Sequence, residues 1–254
     1  MAIPSRAAEA RAGQAGGAAA RSGRATVLPA VAYPLLAHAA TVTASSRLTL
    51  ASVVALALAV LLPGLLALRP AAWLGAVLAT AVIALLARQD AAALLLFLPP
   101  VLINVFMAWL FGRTLGSGRP SLIERLVRLL HPPEEDLDPA IAAYAARLTA
   151  AWTVLFTTLA SVNLLLALFA TPGGLLEAAG LAPTWAVPIE TWSLFANLLN
   201  YLVVGLFFVV EWIYRRRRFP QQPYRNLLDF LRRAAAVAPA LLADLHAGRG
   251  DTRP

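Results

Sequence analysis

The pair His131 and Asp136 has the spacing H-x-x-x-x-D, in which a carboxylate holds a histidine oriented as a general base, a chemistry that serves acyl transfer to a hydroxyl. Pro132 and Pro133 stand between them and impose a local geometry of their own. A second set is uncharged and lies inside apolar sequence: His38, Asn163, Asn197 and, one helical turn beyond Asn197, Asn200. Polar side chains in a lipid-embedded helix must satisfy one another within the bundle. The set therefore reads first as interhelical hydrogen bonding, worth about 0.6 kcal/mol per contact, and second as a binding or proton pathway. In the run Leu98–Pro99–Pro100–Val101–Leu102–Ile103–Asn104, two prolines withdraw two amide donors and predict a kink with free carbonyls beside Asn104. Arg113 and Glu211 fall at comparable depth near the ends of two apolar stretches and form a predicted ion pair. A coupling role for Glu211 is the alternative.

The excluded chemistry is broad. The 254 residues contain no cysteine, which removes disulfides, thiolate nucleophiles, thiolate zinc sites and iron–sulfur clusters together. All 21 basic residues are arginine, so no lysine is present for a Schiff base or a phosphate loop. H-E-x-x-H and G-x-S-x-G are missing as well, and neither a metal nor a cofactor is expected.

The elements that must position these groups follow from where charge is absent. The chain is 60% hydrophobic and 13% charged, against roughly 45–50% and 25% in soluble domains. Six stretches of 17 to 23 residues lack Asp, Glu and Arg: 25–46, 48–68, 71–87, 91–112, 148–170 and 191–210. About 20 helical residues cross a hydrocarbon core of about 30 Å, and a charge at its centre costs at least about 2.5 kcal/mol. The predicted fold is an all-α polytopic bundle of six transmembrane helices over residues 25–214. Buried helices of a soluble bundle are the alternative, and they would carry polar stripes. In the six-span arrangement 19 of the 21 arginines share one side, which the positive-inside rule makes cytoplasmic, together with both termini. His38, Asn163 and Asn197 then lie about 10–12 Å below the outer boundary, at roughly 1.5 Å per residue. All six tryptophans, Trp73, Trp109, Trp152, Trp185, Trp192 and Trp212, fall near span ends, as an interfacial belt predicts.

Outside the spans, residues 1–24 read as a disordered basic tail near anionic headgroups, in preference to a cleaved signal peptide. Ser121 and Glu124 make an S-x-x-E capping box for an amphipathic helix over about 121–131, lying on the membrane surface. Residues 215–254 form a basic cytoplasmic tail with a second amphipathic stretch around 226–237. Its Arg215–Arg218 run is a topology signal first and a headgroup-binding patch second. Membrane lipids are thus expected partners. Nucleic acid is not, because no groove-reading motif accompanies the basic run.

Tyr33–Pro34 with His38, Leu98 to Asn104, Phe111–Gly112–Arg113–Thr114–Leu115, Trp192 to Asn197, Asn200–Tyr201, Glu211 and Arg217–Arg218–Phe219–Pro220 together resemble an uncharacterised family of bacterial multi-pass membrane proteins. Its members are encoded beside fatty-acid-synthase-like genes in clusters that make aryl polyene or xanthomonadin-type pigments. The resemblance spans roughly residues 28–235 and leaves the tail before residue 25 outside it. It implies an inner-membrane accessory protein of a lipid or aryl polyene pathway, with fatty-acid-synthase-like enzymes or acyl carrier protein as cytoplasmic partners. The ketosynthase label some members take from neighbouring genes does not carry over, since a condensing enzyme needs a cysteine nucleophile. A membrane-embedded acyl or glycosyl transferase is the other expectation, with chemistry at His131 and Asp136 or in the polar set.

Overall fold

A computed structural model of the chain describes residues 28–88, 96–116, 118–130, 137–219 and 226–247. The expected tail 1–24 and the His131/Asp136 pair lie outside the described residues. The fold is all-α apart from one two-residue bridge. Its elements are α1 (Leu28–Thr43), α2 (Ser46–Leu66), α3 (Pro70–Arg88), α4 (Leu98–Gly112), α5 (Leu122–Leu130) and α6 (Pro139–Phe169). They continue with β1 (Ala170–Thr171), α7 (Leu175–Ala178), β2 (Val187–Pro188), α8 (Ile189–Leu194), a π-helical turn (Phe195–Leu199), α9 (Asn200–Arg218) and α10 (Leu227–Ala247).

Among the described residues three helices are long and apolar enough to cross a membrane: α2 with 21 residues, α6 with 31, and the continuous run Ile189–Arg218 with 30. At 1.5 Å per residue these extend about 30 Å and about 45 Å. The other apolar helices, α1, α4 and Pro70–Ala81 of α3, are shorter. Helix α6 begins nine residues before the apolar stretch predicted at 148. Asp138 explains the start: its carboxylate accepts the Ala140 amide at 2.8 Å, and Pro139, with no amide to leave unpaired, takes the first helical position.

Burial is reversed relative to a water-soluble domain. The largest fully buried side chains are Trp192, Asn104, Asn163, Asn197, Thr149, Ser52 and Ser193, while leucines and valines along α2, α3, α4 and α9 face outward. In water such a surface would be a large apolar patch, whereas lipid accepts it without cost. Three tryptophans correct the expected belt. Trp152, Trp192 and Trp212 are buried, leaving Trp73, Trp109 and Trp185 exposed. A large flat ring fills space between helices as readily as it sits at an interface.

The chain forms two compact units. The first comprises residues up to Pro100 together with Asn163–Tyr201. Its core is Tyr33, Ala37, Ala55, Leu96, Phe97, Ala167, Ala170, Trp192 and Ala196, mostly small residues that let backbones approach. Helix α2 packs on α3, and Gly64 permits it: a Cβ there would lie 2.6 Å from Ala72 Cβ. The parallel bridge Ala170↔Val187, Thr171↔Pro188 closes the loop that carries α7 and brings the start of α8 to the end of α6.

Helix α1 runs unbroken through Pro34. One expectation for this unit is corrected. Pro99 and Pro100 do not kink a continuous span, because α4 starts at Leu98 and both prolines occupy its first turn. First-turn amides have no intrahelical acceptor, so proline removes nothing the helix uses there.

The second unit comprises Val101–Val162 and the chain from Leu202 onward. The predicted capping box is present: Glu124 N–H donates to Ser121 Oγ at 3.4 Å and Ser121 N–H to Glu124 Oε2 at 3.3 Å. Thr114 Oγ1 and Thr149 Oγ1 accept the next two free amides of α5, those of Leu122 and Ile123. Helix α5 packs against α10, where Arg125 meets Asp244 at 2.8 Å.

Candidate functional site

In the first unit α1 presents His38 and α8 presents Ser193. His38 Nδ1 lies 3.1 Å from Ser193 Oγ. One turn along, Asn197 Nδ2 donates to the same oxygen at 3.2 Å. A serine hydroxyl offers one hydrogen and two lone pairs, so Ser193 serves as the hub between His38 and Asn197. Asn163 of α6 donates through Nδ2 to Asn200 Oδ1 at 3.1 Å. All four predicted residues are thus hydrogen-bonded, but as two groups. Asn200 does not extend the Asn197 face; it pairs across to α6.

The reason for the split is the π-helical turn. It holds Asn197, and the Asn200 amide closes it by donating to the Phe195 carbonyl, five residues back. The extra residue rotates everything after it relative to an unbroken α-helix. Single π turns inside α-helices are frequent at functional sites.

Ser193 and Asn163 are fully buried, Asn197 and Trp192 are each 1% exposed, and Asn200 is buried. Phe97 rests on Trp192, ring centroids 4.3 Å apart. Three buried polar atoms here find no hydrogen-bond partner among the described residues: Asn197 Oδ1, Trp192 Nε1 and Tyr33 Oη. Among the described residues no group of three or more His, Asp or Glu could hold a metal ion.

Asn104 is buried in α4 of the second unit. That unit also holds Glu211, which takes Arg215, one turn along its own helix, as its ion partner at 2.9 Å, where depth alone had indicated Arg113. Tyr144 Oη donates to the Glu211 carboxylate at 3.1 Å. The Arg215 guanidinium lies 5.1 Å from the Trp212 ring centroid and 4.5 Å from that of Phe230, while Arg113 lies 4.5 Å from that of Trp109. A helical i,i+4 pair needs no long-range geometry to form, which explains why it prevails over the pair inferred from depth.

Ser193, Trp192 and Tyr33 are functional candidates that reading for in-membrane His and Asn passed over. Ser193 carries a signal, its four-residue spacing from Asn197. The leftover hydrogen-bonding capacity of Tyr33 and Trp192 carries none in sequence. No protein family, curated protein or solved structure matches the chain, so functional assignment rests on the site.

Proposed function

We propose that this chain is a six-span protein of the bacterial inner membrane, both termini cytoplasmic, that holds the polar end of an apolar molecule between its helices. It acts as an accessory component of a lipid or aryl polyene pathway, assisting transfer of the product or anchoring the enzymes that make it. The observation that supports this is the His38–Ser193–Asn197 cluster, in which Ser193 and Asn197 are buried and Asn197 stands on a π turn within an otherwise apolar run. Simple packing would need no such turn and no leftover polar atoms. The arginine asymmetry supports the orientation and the outward leucines support the lipid environment. The pathway itself rests on the sequence resemblance.

The test pairs a deletion strain with the double variant His38→Leu, Asn197→Leu. Both should lose transfer of the product to its final membrane, with the variant expressed and inserted normally. A deletion that leaves synthesis and localisation of the product unchanged ends the pathway reading.

The distance between His38 and Ser193 favours one other reading, a membrane-embedded acyl or glycosyl transferase with Ser193 as nucleophile and His38 as base. Full burial of Ser193 counts against it. Ser193→Ala discriminates: a nucleophile variant loses product formation by about 10³-fold or more, whereas a binding variant loses only a modest fraction of transfer. Alanine at both His131 and Asp136 tests the second location for such chemistry, with unchanged product excluding it.

A further inference from the structure

Helix α10 of the second unit has two apolar faces, and the described chain covers only one of them. Phe230, Ala234, Val237, Leu241 and Leu245 recur at spacings of three and four and are buried or half-buried. Helix α5 packs on α10, and Phe230 lies on Trp212 with ring centroids 5.6 Å apart. The other face carries Leu228, Leu231, Arg232 and Ala235, at positions i, i+3, i+4 and i+7. All four are exposed, the two leucines at 55% and 44%.

The anchor of α10 sets its level. Trp212 is the second residue after the uncharged stretch 191–210, and Arg215, whose guanidinium lies 4.5 Å from the Phe230 ring centroid, is the fifth. Helix α10 therefore begins where α9 leaves its apolar run. The charge around it is one-sided. Glu211, Asp229 and Asp244, the carboxylates of α9 and α10, are each paired with an arginine of the chain. Arg216, Arg217 and Arg232 are exposed and form no ion pair among the described residues.

We propose that the outer face of α10 lies on the bilayer leaflet at that end of α9 and takes anionic phospholipid, Leu228 and Leu231 entering at the acyl boundary and Arg232 meeting the headgroup phosphate. Leucine and arginine on one helix face divide at such a boundary, the apolar group below it and the charge among the phosphates. A second copy of the chain fits the face poorly, because it would bring the same arginines together. A soluble acidic protein would match the charge, but the anchor sets the helix at the level of the headgroups, where phosphate is already at hand. Attachment of this kind requires only that α9 cross the membrane; it involves neither the polar cluster nor the pathway proposed above.

The absence of native cysteine allows a direct test. A nitrobenzoxadiazole dye is attached to Leu231→Cys in the full chain, reconstituted in nanodiscs of phosphatidylcholine and phosphatidylglycerol. Quenching by doxyl-labelled lipid is expected to exceed quenching by acrylamide in the water, and Leu228→Cys, on the same face, should behave alike. Doxyl-labelled phosphatidylglycerol should be favoured over doxyl-labelled phosphatidylcholine at the dye. Arg232→Gln should remove about fivefold of that preference, the weight of one arginine near an anionic surface. A dye open to acrylamide and out of reach of doxyl lipid overturns the proposal and leaves the face to water or a soluble partner. A dye shielded from both quenchers reveals a protein cover, such as a second copy, and also overturns it. Equal quenching by the two labelled lipids overturns the assignment to anionic lipid. A deletion strain without phenotype ends the pathway reading and leaves this attachment standing.

Discussion

Glu211 and Arg215 show how a residue pair at the end of an apolar helix differs from one at a protein surface. Both side chains are nearly buried, at 6% and 11% exposure, and Tyr144 completes the carboxylate's hydrogen bonding. A buried ion pair adds little over apolar residues of the same size, yet removing one partner strands the other charge at about 3–5 kcal/mol. Glu211→Leu is therefore expected to lower the thermal midpoint sharply, while Glu211→Leu with Arg215→Met recovers most of the loss. A double-mutant cycle on the purified chain measures this, and equal destabilisation of single and double variants contradicts it. The Ser193 hub contrasts with this pair. Its hydrogen bonds are worth about 0.6 kcal/mol each within lipid, so its removal reports on function more than on stability.

At the scale of elements, α5 and α10 hold each other in place beyond the apolar helices. The Arg125–Asp244 ion pair contributes little, since Asp244 is largely exposed. Apolar contact carries the attachment of α10: Phe230 is buried, packs against Trp212 with ring centroids 5.6 Å apart, and receives the Arg215 guanidinium on its face. Phe230→Ala should cost about 3 kcal/mol of local stability and expose the chain after Arg218 to protease in open membranes. Asp244→Ala should leave cleavage unchanged. The capping box at Ser121 was readable because its chemistry is local, two reciprocal bonds over three residues. The amides of Leu122 and Ile123 are met by Thr114 and by Thr149 of another helix, and no spacing rule announces such partners.

At the scale of the whole molecule, the proposed orientation has a direct assay because the chain contains no cysteine. Single cysteines introduced at Thr184 and at Gln222 should behave oppositely. A membrane-impermeant maleimide should label position 184 in intact spheroplasts and position 222 only after lysis. Labelling in the reverse order overturns a cytoplasmic C-terminal tail, and labelling of both from one side overturns a membrane crossing by Ile189–Arg218.

Composition and charge spacing by themselves determined that the chain is helical and apolar, where charge is tolerated, and which few polar residues have to find partners. Those properties follow from the cost of unpaired polar groups in an apolar medium, which acts on each residue separately and so leaves its mark in one dimension. Partner choice was decided only by tertiary structure. His38 and Asn197 meet through Ser193, Asn200 turns to Asn163, and the proline pair starts a helix instead of bending one. The physical reason is that helix phase sets which side chains face each other, and a single π turn changes that phase without any composition to announce it.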